Sequence, residues 1–214
     1  MLANGNQIRS DVAELFHESR FTLGDGVHYS GEEKISLEPA AHLEAGVHLD
    51  VTQGPIRLED GVRISAFTLL VGPVFIGRDT QILGGTIRNA SIGPTCRVKG
   101  EVQNSVLLGY SNKSHDGYLG HSYLGRWVNL GALTTNSDLK NNYSTVRVTT
   151  EDGPVDTGQM KVGCFLADHV KTGIGTLLPT GCVVGAGSNL FGGEMSSVFV
   201  PPFSWGGGES MKEY

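Results

Sequence analysis

Hydrophobic residues recur along this chain at intervals of six: from Leu58 the steps fall on Ile64, Leu70, Ile76 and Ile82. The pattern returns as Ile92 and Val98, then as Leu124 and Leu130. It returns again as Leu166, Thr172, Leu178, Val184 and Leu190, with a single threonine as the exception. Glycine often follows the aliphatic, as in Ile76-Gly77, Ile92-Gly93 and Val184-Gly185. A period of six fits neither a helix of about 3.6 residues per turn nor simple alternation along a strand. It predicts a hexapeptide β-helix, in which each hexad forms a short flat strand and a turn. Three hexads then close one triangular coil of about 18 residues, with the aliphatic pointing into the prism. Glycine or a small polar residue is expected at the turn position that needs a positive φ.

Two stretches break the register. Between Met1 and about Glu33, Ile8, Val12, Leu15 and Phe16 share one face of an amphipathic helix, with Asn6 or Ser10 as its cap. From about Ser137 to Met160, the segments around Val146-Arg147-Val148 and Glu151-Asp152-Gly153-Pro154 predict a polar loop or hairpin thrown out from one corner. Such excursions are where solenoids tend to carry function. Pro201 and Pro202 remove ladder donors, so the tail is expected to leave the coil and fold back. The organisation read this way is a helical linker segment over 1–40, a β-helix over 41–200 with its excursion at about 137–160, and a tail over 201–214. The fold class is all-β.

Composition sharpens this picture. Glycine supplies 31 of 214 residues, about twice the usual ~7%, without a Gly-X-Y triplet. No apolar run reaches the ~18 residues of a membrane span, and no signal-peptide pattern opens the chain. A net charge of −6 and a pI near 5.6 argue against nucleic acid or an anionic membrane as partner. Three cysteines do not make a disulfide framework, so a reducing cytoplasm is the expected location. Cys164 and Cys182 are 18 apart and should stack in neighbouring coils as reduced thiols.

One stretch is more specific than the hexads. Tyr110-Ser111-Asn112-Lys113-Ser114-His115-Asp116-Gly117-Tyr118-Leu119-Gly120, followed by Trp127-Val128-Asn129-Leu130-Gly131-Ala132, resembles the C-terminal domain of bifunctional sugar-1-phosphate nucleotidyltransferase/acetyltransferases. The block from Lys161 to Ile174 is similar to the archaeal branch of that family. Asn141-Asn142-Tyr143 and Phe203-Ser204-Trp205 resemble an uncharacterised bacterial branch. The likeness covers about residues 45 to 206. It implies a left-handed parallel β-helix, a homotrimer, and clefts between prisms that take acetyl-CoA and an amino-sugar phosphate. It also implies that His115 is the general base, with Tyr118 and Asn129 matching the rest of the motif.

Departures from the family pattern matter as much. A family asparagine aligns with Asp138, and a lysine pair that helps bind the sugar phosphate aligns with Gln103 and Asn104. No Leu-x-Ala-Gly-x-Gly-x-Arg segment occurs, so nucleotidyl transfer is not expected of this chain alone. The N-terminal helix would correspond to the linker after the family's nucleotidyltransferase domain.

Each candidate residue carries two readings. His115 lies among charged and turn residues and can act as a base or as a surface histidine. Tyr118 can hydrogen-bond substrate or pack at a corner, and Asn129 can hold a hydroxyl or join a polar ladder. Arg147, Lys171 and Lys161 are the candidates for coenzyme phosphates, and Lys113, Asp138 and Lys140 for the acceptor. His121 and His169 raise the question of a metal. His115 and His121 are six apart and fall on different faces, so no metal site is expected. The leading expectation is an acyl-CoA-dependent transferase, with acetyl-CoA as donor and a sugar or amino-sugar phosphate as acceptor. The alternative is a non-catalytic trimerisation or regulatory domain serving a nucleotidyltransferase.

Overall fold

In the computed structural model, residues 3–15, 23–31, 35–207 and 211–214 are described. One helix, Asn4–Leu15, precedes a stack of short strands, and nearly all of these belong to one continuous parallel ladder. The fold is a left-handed parallel β-helix. Inside the ladder, strands pair with the strand one coil earlier and the strand one coil later. Leu58 lies in register with Ile76, Ile76 with Ile92, and Ile64 with Ile82. All the hexad aliphatics from Leu58 to Ile82, and Leu166, Val184 and Leu190 further on, are buried along the prism axis. Burial of each such side chain contributes about 1.5–3 kcal/mol, and together they form the core.

The coil length is not constant. Between register partners on one face it is 18 residues from Leu58 to Ile76, 16 from Ile76 to Ile92, and 15 from Ile92 to Leu107. It is 17 from Leu107 to Leu124, and 18 again from Leu166 to Val184. Short coils arise where strands run straight through a corner, as in Gln81–Ile92 and Arg97–Gln103. The turn position is also less restricted than expected, since Tyr110, Trp127 and His169 adopt φ of 54°, 62° and 62° there. Their rings stack across successive coils, with centroids 4.8 and 6.3 Å apart, and that contact offsets part of the strain of a left-handed non-glycine residue.

Both ends extend the ladder beyond the expected limits. His28–Ser30 and Ile35–Leu37 already pair in parallel with the next coil, so coil residues begin before 41. Ser204–Gly206 pairs in parallel with Asn189–Leu190, so the coil continues past the two prolines. Pro201 and Pro202 sit in the corner between Phe199–Val200 and Ser204–Gly206, where no ladder N–H is required. The helix starts at Asn4, so Asn6 and Ser10 lie inside it and neither caps it. Ile8 and Val12 are buried against the prism, and Phe16 lies outside the described residues. The excursion contains the expected hairpin, Arg147–Thr150 against Gly153–Asp156. Among the described residues, no helix is long and apolar enough to cross a membrane. The three cysteines are free and buried.

Candidate functional site

The coil from Asn112 to Asn129 carries the motif histidine, and its two corners differ sharply. His115 is exposed on the first corner, and no hydrogen bond of its imidazole is found among the described residues. Its neighbour Asp116 faces Lys99 at 3.4 Å in an exposed pair, worth little. The second corner, after Tyr118–Gly120, holds His121 with φ 48° and only 7% exposure.

His121 is built into a buried network. Its Nδ1 lies 2.7 Å from Asp138 Oδ2, and the Tyr118 hydroxyl donates to the same oxygen at 2.5 Å. The Gln103 amide donates in turn to the Tyr118 hydroxyl. Burial and the neighbouring Asp138 push the Tyr118 phenol well above its ordinary range, so it stays a donor. With Nδ1–H given to the carboxylate, Nε2 of His121 keeps its lone pair for another proton.

The chain path explains why these groups meet. The coil here is 17 residues long, so His121 and Asp138 fall one above the other. The excursion leaves the prism just after Asp138 and returns at Lys161, with Leu139 and Lys161 bridged antiparallel and Val162 N–H bonded to Asp138 O at 2.9 Å. Gly163 follows, with its N–H on His121 O at 2.8 Å. A Cβ on Gly163 would stand 1.9 Å from Gly120 O, so the close approach requires glycine. The result is a largely apolar cleft of about 440 Å³, lined by His121, Tyr123, Gln159, Lys161 and Phe165, and reached by Ala3 beside the helix.

Of the residues singled out in the sequence, Tyr118, Asp138 and Lys161 therefore come together, around a histidine considered there only as a metal ligand. The signal for His121 was the 17-residue interval to Asp138, visible only once the coil length is known. The others lie elsewhere. Asn129 accepts from Asn112 Nδ2 at 3.0 Å and is in register with Lys171, in an outward polar ladder on a different face. Arg147 stands on the exposed hairpin, 4.0 Å from Asp156. Lys140 donates to Thr145 O at 2.9 Å and lines a separate open cleft of about 610 Å³ with Asn141, Asn142 and Met195.

Lys113 lies apart from this cleft. It occupies the inward hexad position, in register with Val98, and is 2% exposed. Its Nζ donates to Lys99 O at 2.7 Å and to His115 O at 3.1 Å. Burial lowers its pKa to about 8 against the opposing pull of Asp116. Among the described residues, no group of three or more His, Cys, Asp or Glu side chains is placed to hold a metal.

Comparison with known proteins supplies the context. The chain is 29% identical over 150 residues to the bifunctional protein GlmU of Nitrosospira multiformis, spanning 58% of this chain and 32% of that one. It is 32% identical over 95 residues to the bifunctional sugar-1-phosphate nucleotidylyltransferase/acetyltransferase of Sulfurisphaera tokodaii, spanning 44% of this chain and 24% of that one. Its relatives are bifunctional nucleotidylyltransferase/acetyltransferases. The chain thus spans about a quarter to a third of the length of the two curated relatives named here. No family model matches it. Among solved structures, AntD, an N-acyltransferase from Bacillus cereus, overlaps 88% of this chain and 81% of its own at 13% identity, with a TM-score of 0.28.

Proposed function

We propose that this protein is an acyl-CoA-dependent transferase that acetylates a sugar or amino-sugar phosphate, with acetyl-CoA as donor. The observation that carries the reading is the His121–Asp138 pair at 2.7 Å beneath the apolar cleft. The curated relatives are named as acetyltransferases in part, which supports the same chemistry. His121 Nε2 takes a proton from the acceptor amine as the nitrogen attacks the thioester carbonyl. The tetrahedral intermediate then collapses, the C–S bond breaks, and the imidazolium returns its proton to the departing thiolate. Asp138 orients the ring and stabilises the imidazolium, and Tyr118 and Gln103 hold Asp138 in place. Lys161 at the cleft mouth supplies positive charge toward the phosphates of the coenzyme. The protein works as a homotrimer in this reading, and its free thiols suit a reducing compartment such as the cytoplasm.

The experiment is a pair of substitutions assayed for acetyl transfer from acetyl-CoA. His121→Ala should lower kcat by about 10²–10⁴-fold while coenzyme binding persists. His115→Ala should leave kcat close to wild type, since no orienting partner for that imidazole is found among the described residues. The reverse result returns the base to His115, as the sequence motif implies. A second reading, a non-catalytic trimerisation domain, is favoured by the loss of the lysine pair at Gln103 and Asn104. It predicts no coenzyme binding and no change in either variant.

A further inference from the structure

Two thiols on the inward side of the prism take no part in the chemistry above. Cys164 lies two residues before Leu166 and Cys182 two before Val184, and their strands run parallel with Phe165 against Val183 and Leu166 against Val184. Alternation along a strand turns both sulfurs inward, and both residues are 0% exposed. The Phe165 N–H donates to Cys182 O at 2.8 Å, which fixes the two cysteines one rung apart. One rung is about 4.8 Å, within the about 4.4–6.8 Å that separates the Cα atoms of a disulfide. The side chains already form a relay. Cys182 donates to the Cys164 sulfur, Cys164 donates to Ser122 Oγ at 3.3 Å, and Ser122 donates to Gly120 O at 2.8 Å. Each cysteine follows a residue without a side chain, Gly163 or Gly181. Over Gly181 lies Val146 of the excursion, 2.6 Å from where a Cβ would stand. Val146 packs with Val148 and Val162 in a small cluster separate from the main core. Opening of the excursion therefore uncovers this corner without unwinding the prism.

We propose that Cys164 and Cys182 form a modification site, a dithiol that a small hydroperoxide converts to a disulfide between neighbouring coils. Cys164 is the group attacked first. The hydrogen bond from Cys182 holds its pKa below the ordinary thiol value, whereas Cys182 is held above it by the same bond and by burial. The Cys164 sulfur attacks one peroxide oxygen, the O–O bond breaks, and the hydroxide released takes the Cys164 proton and leaves as water. The resulting sulfenic acid faces Cys182 directly. The Cys182 sulfur attacks the Cys164 sulfur, the S–O bond breaks, and hydroxide leaves with the Cys182 proton as a second water. Two thiols are thereby oxidised to one disulfide, and one peroxide is reduced to two waters. Closing the bond draws the two Cβ atoms together by about 1 Å, from one rung to disulfide spacing. That movement falls where the excursion re-enters the prism. The Gly163 N–H holds His121 O at 2.8 Å, and the Tyr123 N–H holds Cys164 O at 2.9 Å, so the bond fastens the coil beside His121 to the coil above it. Cys96 has no such neighbour, since its thiol donates to Pro94 O at 3.7 Å, and it stays reduced.

The test treats the folded full chain with hydrogen peroxide, then alkylates it in denaturant and digests it with trypsin. Cleavage after Lys161, Lys171 and Lys212 places Cys164 and Cys182 in separate peptides, 162–171 and 172–212, and Cys96 in a third. Peroxide should produce a linked pair of those two peptides, lighter than their sum by two hydrogen atoms. Dithiothreitol should abolish the link, and Cys96 should be alkylated throughout. The oxidised chain should also melt at a higher temperature than the reduced chain, because the new bond closes a loop in the unfolded state. Cys164→Ala and Cys182→Ala should each show neither the link nor the peroxide-dependent rise in melting temperature. If one of the two variants does not fold, the other still supplies the control. The proposal is overturned if both thiols remain open to alkylation after peroxide, if Cys164 gains oxygen without linking, or if the link involves Cys96 or joins two chains. A fall in melting temperature on linking would overturn it as well, since the coils would then not accept the bond.

Discussion

Lys113 makes the most demanding test of how this prism is built. The residue is 2% exposed, and its ammonium group carries a pKa lowered to about 8, against an ordinary value of 10.5. The cause is loss of water around the charge, only partly recovered by two carbonyls and Asp116. Below about pH 8 the group is protonated in both folded and unfolded chains, and the burial penalty is fully present. Between about 8 and 10.5 the unfolded chain binds the proton that the folded chain has lost, so stability rises with pH across that window. Two pH units at about 1.4 kcal/mol each give a gain of about 2.5 kcal/mol by pH 10. Lys113→Met removes the titration but leaves the carbonyls of Lys99 and His115 without their donor, at a cost of about 1–3 kcal/mol. The two effects nearly cancel at pH 7, so the variant should fold with similar stability there. Urea unfolding of both proteins from pH 7 to pH 10 should show the wild type pulling ahead of the variant by about 2.5 kcal/mol. Other groups that titrate in this range are common to both and drop out of the difference. A difference that stays flat would mean that the ammonium is not buried as described.

Two further outcomes check the frame around the site. Ile76→Asp places a carboxylate between Leu58 and Ile92 on the prism axis and should cost more than ~4 kcal/mol, read as a collapse of the urea midpoint. An unaltered midpoint would show that the inward register is wrong. The trimer proposed above predicts three times the chain mass of 22.8 kDa by light scattering at micromolar concentration, and a monomeric mass would remove it.

The six-residue period was sufficient to predict the solenoid, because in a narrow prism every inward position must be apolar or fully satisfied. It could not predict the coil length. Gly100, at φ 89°, closes a corner in fewer residues than a hexad needs, and Lys113 Nζ fills the space that a Cβ there would crowd. An inward lysine and a shortened coil both look like lapses in the pattern until the backbone is placed. The candidate site suffered from the same limit. Tyr118, Asp138 and Lys161 stood out by type, but their meeting with His121 depends on a 17-residue turn and on where a long excursion re-enters. His115 stood out by motif, and nothing in its local sequence shows that its imidazole is without a hydrogen bond among the described residues.

The short strand Lys212–Glu213 runs antiparallel along the free side of Ser204–Gly206. Tyr214 stacks on Trp205 at 4.8 Å, and Trp205 meets Phe191 edge-on at 5.1 Å, which clamps this strand in place. A parallel stack held by main-chain hydrogen bonds is in principle open-ended, since the last coil offers the same unpaired groups that every earlier coil used to recruit its successor. Reversing the chain direction at that edge presents the wrong spacing of donors and acceptors for another parallel strand. On this face the strand is therefore a stop against end-to-end growth of the parallel ladder.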